Sequence, residues 1–127
     1  MDGSNGEARQ VAQNEALFRS VNEQIESLNE RFGVPSERAE FVCECADEHC
    51  TERVTLTLGE YEDVRRVPTH FIVIHGHVNH QFETVVENVD GYVVVEKFGE
   101  AGKEAVKLDE RQRLTDLHLR MSRVSQA

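Results

Sequence analysis

The residues best suited to chemistry are the three cysteines, which all fall in the eight-residue window Cys43-Glu-Cys45-Ala-Asp-Glu-His-Cys50. Thiolates are soft ligands that zinc prefers, and an odd number of cysteines leaves one thiol without a disulfide partner. Cys43 and Cys45 are two residues apart at a strand end, and a turn through the following polar residues can return Cys50 to the same point. We therefore predict that these three cysteines bind one structural metal ion, with zinc as the cofactor.

A closed tetrahedral zinc site needs a fourth ligand. The candidates are His49, His75, His77, His80, Asp47 and a water molecule. We expect His77, because a ligand far along the chain joins two segments and because Gly76 lets the backbone approach closely. His75 is the next candidate.

Other interpretations of these residues remain open at this stage. The spacing C-x-C-x4-C is less specific than paired C-x2-C motifs, so a redox-active thiol cluster and plain buried cysteines are alternatives. The run His75-x-His77-x-Asn79-His80 resembles the metal motif of metallo-β-lactamase-type hydrolases, but Asn79 replaces the acidic ligand and the chain is too short for that fold. Since no nucleophile elbow, Walker loop or dinucleotide fingerprint is present, the sequence disfavours an enzyme.

Charge and length narrow the classes of partner. The 127 residues carry 24 Asp and Glu against 14 Lys and Arg, for a formal net charge of -10, which repels nucleic acid. No apolar run approaches the length of about 18 residues that a membrane span needs, and no signal-peptide pattern is visible at the N-terminus. We expect one cytoplasmic domain, with neither nucleic acid nor a membrane as partner.

The N-terminal part predicts a long helix. We expect residues 1–6 to be disordered and residues 7–33 to form an amphipathic helix that ends at Gly33 and Pro35. Its apolar residues recur at spacings of three and four, interrupted once by Asn14. They are Val11, Phe18, Val21, Ile25, Leu28 and Phe32. This stripe could pack on the rest of its own chain, or it could bind another protein or a second copy.

The remaining residues predict a zinc-stabilised α+β domain over 37–108 and a helical or frayed tail over 109–127. Short β-rich runs at Phe41–Cys45, Arg53–Leu58 and Phe71–Ile74 are typical of strands. Thr57 and Glu60 have the spacing of a capping box, and Asp90-Gly91 predicts a tight hairpin turn. The fold class is therefore α+β, a long helix followed by a small β-rich domain with a hairpin and short helices.

Three stretches together resemble a known group of proteins. They are NEALFRSVNEQIESLNERFG from Asn14, then FVCECADEHCTERVTLTLGEYEDVRRVPTHFIVIHGH, then YVVVEKFGEAG. They are similar to small uncharacterised actinobacterial proteins with a CEC-x4-C segment and a later Pro-Gly-His. The resemblance implies a bacterial cytosolic zinc protein in which Cys43, Cys45, Cys50 and His77 match the group's cysteines and histidine, although His75 stands where proline is usual.

From these patterns we predict a non-catalytic protein-interaction or regulatory adaptor, in which a zinc-bound domain presents the N-terminal helix to its partner. A hydrolase that uses His75, His77 and His80, and a thiol-based redox switch, are the alternative functions.

Overall fold

The computed structural model describes residues 3–32 and 38–111. In chain order the elements are α1 (Gly3–Phe32), β1 (Arg38–Val42), β2 (Arg53–Thr57), α2 (Leu58–Arg65), β3 (His70–Val73), β4 (Glu83–Val89), β5 (Tyr92–Lys97) and α3 (Gly99–Leu108). A long N-terminal helix followed by a small antiparallel sheet domain with short helices confirms the predicted α+β class. Of the predicted tail, 109–127, the part after Arg111 lies outside the described residues.

The strands form two antiparallel sheets, β1–β2 and the three-stranded β3–β5–β4. Alternation in β2 buries Val54 and Leu56, which pair with Phe41 and Ala39 of β1. The predicted hairpin turn joins β4 to β5 at Gly91, whose φ of 95° is one that glycine adopts without steric cost. The main core draws on both sheets and α2, and its largest residues include Phe41, Leu56, Tyr61, Phe71 and Ile72.

The capping box predicted at Thr57 is present at the start of α2. The Thr57 hydroxyl accepts a hydrogen bond from the Glu60 backbone N–H at 3.1 Å, and the Glu60 carboxylate accepts one from the Thr57 N–H at 2.8 Å. This exchange pairs two N–H groups that a helix start otherwise leaves free. α2 therefore begins at Leu58 and carries Tyr61 into the core, where its ring stacks on Phe41.

α1 extends over 30 residues and begins at Gly3, so residues 3–6, which we expected to be disordered, are helical. Among the described residues, no helix has both the length and the apolar character that crossing a bilayer requires.

The side of α1 that is buried differs from the predicted apolar stripe. Its buried residues are Ala8, Val11, Ala12, Glu15, Arg19, Asn22 and Glu26. Of the stripe, Phe18 and Ile25 are half-buried, while Val21 and Leu28 are 39% and 55% exposed. The predicted apolar stripe is therefore divided between the core and the surface.

Several buried polar groups on α1 meet partners from the sheet domain. The Lys97 ammonium lies between the carboxylates of Glu15 and Glu83, and none of the three side chains is exposed. The Arg19 guanidinium lies 3.6 Å from the centre of the Phe71 ring. Ion pairs and cation–π contact thus accompany the apolar packing of Ala8 and Val11 along this helix.

Candidate metal centre

The three cysteines lie where the chain leaves β1 and turns back toward β2. The Cys43 N–H donates to the Glu52 carbonyl at 3.1 Å, which extends the β1–β2 ladder to the first cysteine. The Cys50 N–H donates to the Asp47 carbonyl at 3.0 Å and closes a tight turn. This turn returns Cys50 to Cys43 and Cys45, as the spacing predicted.

His77 comes from the loop after β3. Its N–H donates to the Ile74 carbonyl at 3.0 Å, in a turn where Gly76 has a φ of 89°. A side chain at position 76 would be strained in that left-handed conformation. The Ile74 N–H donates to the Cys43 sulfur at 3.3 Å, which joins the two loops directly.

The two loops bring four ligand atoms together. One atom from each of Cys43, Cys45, Cys50 and His77 lies within 4.8 Å of the others. The His77 Nδ1 atom is 3.8 Å from the Cys43 sulfur and 3.6 Å from the Cys50 sulfur. Zinc bonds of about 2.3 Å to sulfur and about 2.0–2.1 Å to nitrogen, at tetrahedral angles, separate these atoms by about 3.6 Å. The two nitrogen–sulfur distances therefore match the spacing that one tetrahedral zinc ion requires, and all four donors lie within 4.8 Å of one another.

The other candidate ligands lie outside this group. His49, His75 and His80 are exposed, and Asp47 uses a carboxylate oxygen to accept a hydrogen bond from the His49 N–H at 2.9 Å. Within residues 3–32 and 38–111, the predicted hydrolase histidines do not gather into a three-ligand group with His77. Of the histidines considered, the structure places His77 with the cysteines.

The cysteines are free thiols whose pKa values depend on one another. The pKa of Cys45 is lowered to about 5, mainly because Cys43 donates a hydrogen bond to its sulfur. The same hydrogen bond, together with burial, raises the pKa of Cys43. Burial also raises the pKa of Cys50. Without metal, one thiolate is thus held between two thiols. A cation bound among the three sulfurs would stabilise them all as thiolates.

A second group of acidic residues is partly neutralised by the protein. Glu26, Glu30 and Glu62 also have oxygens within 4.8 Å of one another. The Arg111 guanidinium lies 2.8 Å from Glu26 and 2.7 Å from Glu62. Burial, then the hydrogen bond with Glu62, raises the pKa of Glu26 to about 8. A proton on Glu26 and the Arg111 guanidinium therefore offset two of the three negative charges of this group, without a metal ion.

The polar residues that support the cysteine loop were missed in the sequence. Glu44 is fully buried beneath the site and bonds to Asn22 of α1, while Asn14 of the same helix donates to the loop backbone. Alternation along an extended segment places Glu44 on the opposite side from Cys43 and Cys45. That alternation separates Glu44 from the metal ligands but does not predict its burial, and nothing in the local sequence identified the two asparagines.

Comparison with protein-family models, with curated proteins and with solved structures finds no match for the chain, so the interpretation of the site rests on its own geometry.

Proposed function

We propose that this chain is a small zinc-binding protein whose Cys3His centre is structural and whose role is protein interaction or regulation. The observation that carries the assignment is the convergence of four donors from two separate loops to within 4.8 Å of one another. Three thiolates and one imidazole are a common ligand set of structural zinc, and they leave no coordination position for a substrate. That closed set supports a non-catalytic role.

A cytoplasmic location and the bacterial group named above belong to the same proposal. Free thiols suit a reducing compartment, where they remain available to a metal ion. Cys43 and Cys45 are almost fully buried, at 1% and 2% exposure, which protects the ligands from exchange and oxidation.

We expect the purified protein to contain about one zinc ion per chain, because a structural site closes around a single ion. Elemental analysis of protein purified without chelator measures this ratio, and cobalt substitution reports thiolate coordination through its absorption bands. Protein alkylated at its cysteines while unfolded serves as the control and should contain no zinc. A ratio near zero, with three freely titratable thiols, would refute the zinc site and favour the redox switch.

The interaction role is supported by apolar residues that α1 leaves uncovered. Leu17, Val21 and Leu28 are 62%, 39% and 55% exposed, and their spacing of four and seven residues places them on one side of the helix. We call these three residues the α1 surface. A groove of about 400 Å³ lies beside Leu28. It is lined by Glu23, Gln24, Ser27, Leu28, Arg31 and Glu110.

The occupant that we propose for the α1 surface is a different protein with a basic surface. Two copies of a chain with net charge -10 repel each other electrostatically, whereas a basic partner is attracted to it. Apolar contact with the α1 surface would then supply the short-range part of the affinity.

A photo-crosslinking amino acid at Gln24, which lines the groove, should capture one basic protein in cells. The double variant Val21→Asp, Leu28→Asp should abolish that crosslink. Burying two carboxylates in the interface costs more free energy than the apolar contact contributes. The stability of the double variant should change by only about 0.5 kcal/mol per site, since both residues are exposed.

The same crosslinker at Lys103, which is exposed on α3, is the matched control and should capture nothing specific. Crosslinks from Gln24 to a second copy, or to residues 112–127 of the same chain, would contradict the basic partner and identify the other occupant.

A further inference from the structure

The segment that carries the metal ligands is also the segment on which α1 docks. Glu44 stands between Cys43 and Cys45, and its side chain is fully buried. Its carboxylate accepts three hydrogen bonds, from the Asn22 amide at 2.9 Å, the Tyr61 hydroxyl at 3.1 Å and the Ile72 N–H at 3.1 Å. A buried carboxylate with three donors is held firmly in one position, and the two cysteines beside it are held with it.

Two asparagines of α1 bond to this loop. The Asn22 side chain accepts a hydrogen bond from the Val42 N–H at 2.7 Å and donates to the Val42 carbonyl at 2.9 Å, as a neighbouring strand would. The Asn14 amide, two turns earlier, donates to the Ala46 carbonyl at 2.9 Å. The helix thus holds the loop on both sides of the first two cysteines.

We infer that docking of α1 and occupation of the metal site are coupled equilibria, with Asn14 and Asn22 as positioning residues for the cysteine loop. The inference rests on the proposed function, because it needs an ion at the site. The hydrogen bonds that place the loop form only when α1 is docked. Groups that orient metal ligands commonly change metal affinity by about 10–100-fold.

The coupling acts in both directions. If docked α1 strengthens metal binding by a given factor, bound metal strengthens docking of α1 by the same factor. A partner that draws α1 away from the domain would therefore weaken the hold on the ion, and loss of the ion would make α1 easier to draw away.

The first test measures zinc affinity by competition with a chromophoric chelator. Asn22→Ala and Asn14→Ala should each lower the zinc affinity by at least about tenfold. Asn29→Ala is the matched control, since among the described residues the Asn29 amide donates within α1, to the Ile25 carbonyl at 2.8 Å. Its affinity should remain within about twofold of the wild-type value.

The second test is amide hydrogen exchange in α1. Added zinc should slow exchange around Asn14 and Asn22 in the wild-type protein and in Asn29→Ala, and the effect should shrink in Asn22→Ala. A general loss of stability would speed exchange without removing the response to zinc. If Asn22→Ala fails to fold, the half-buried Asn14 provides the same comparison.

The coupling would be overturned if all three variants bound zinc with the wild-type affinity, or if added zinc did not change amide exchange in α1. Neither result would contradict the metal site itself. A wild-type protein that binds no zinc would instead overturn the proposed function and this inference with it.

Discussion

His77→Ala and Cys45→Ser should each abolish stoichiometric zinc binding and destabilise the sheet domain by several kcal/mol. Structural zinc contributes about 10–16 kcal/mol of apparent binding free energy in small zinc modules, against a total stability of about 5–15 kcal/mol for most domains. Because the site joins the loop after β1 to the loop after β3, losing one ligand releases both loops. Urea unfolding in parallel with elemental analysis measures the effect.

The controls for this prediction are His75→Ala and His80→Ala. They remove the same side chain from the same loop, but from exposed positions outside the cluster. Both variants should retain zinc and the wild-type unfolding midpoint. A His77→Ala protein with full zinc content, or a His75→Ala protein that loses its zinc, would show that the fourth ligand has been assigned incorrectly.

Lys97→Met is expected to lower the free energy of unfolding by about 3–5 kcal/mol, because it removes one partner of a buried ion pair. The variant leaves Glu15 and Glu83 buried without a cation. Burial raises the pKa of Glu15, so that carboxyl can take up a proton, but a second buried carboxylate remains. Denaturant titrations of wild type and variant with zinc bound give the difference.

Lys103→Met is the matched substitution, since Lys103 is exposed on α3, and it should change stability by no more than about 0.5 kcal/mol. Combining Lys97→Met with Glu15→Gln and Glu83→Gln should recover part of the loss, because no net charge is then left buried at this point. Equal effects at Lys97 and Lys103 would mean that the buried lysine does not hold α1 to the sheet domain.

The sequence alone was enough to predict the features that depend on neighbouring residues. The capping box at Thr57, the turn at Gly91 and the clustering of Cys43, Cys45 and Cys50 all follow from residue types within a few positions of one another. Their geometry is set by local dihedral preferences and short reach, so the fold class and the cysteine part of the site could be anticipated.

Only the tertiary structure decided which side of α1 is buried. Helical periodicity pointed to the apolar stripe, yet the helix buries Glu15, Arg19 and Asn22. Their partners lie far along the chain, as Lys97 does for Glu15. A charged side chain is buried only beside an opposite charge or a hydrogen-bonding group. Local sequence does not show where in the fold such a partner lies. The sequence favoured His77 over His75, and contacts between distant segments placed His77 with the cysteines and Glu44 beneath their loop.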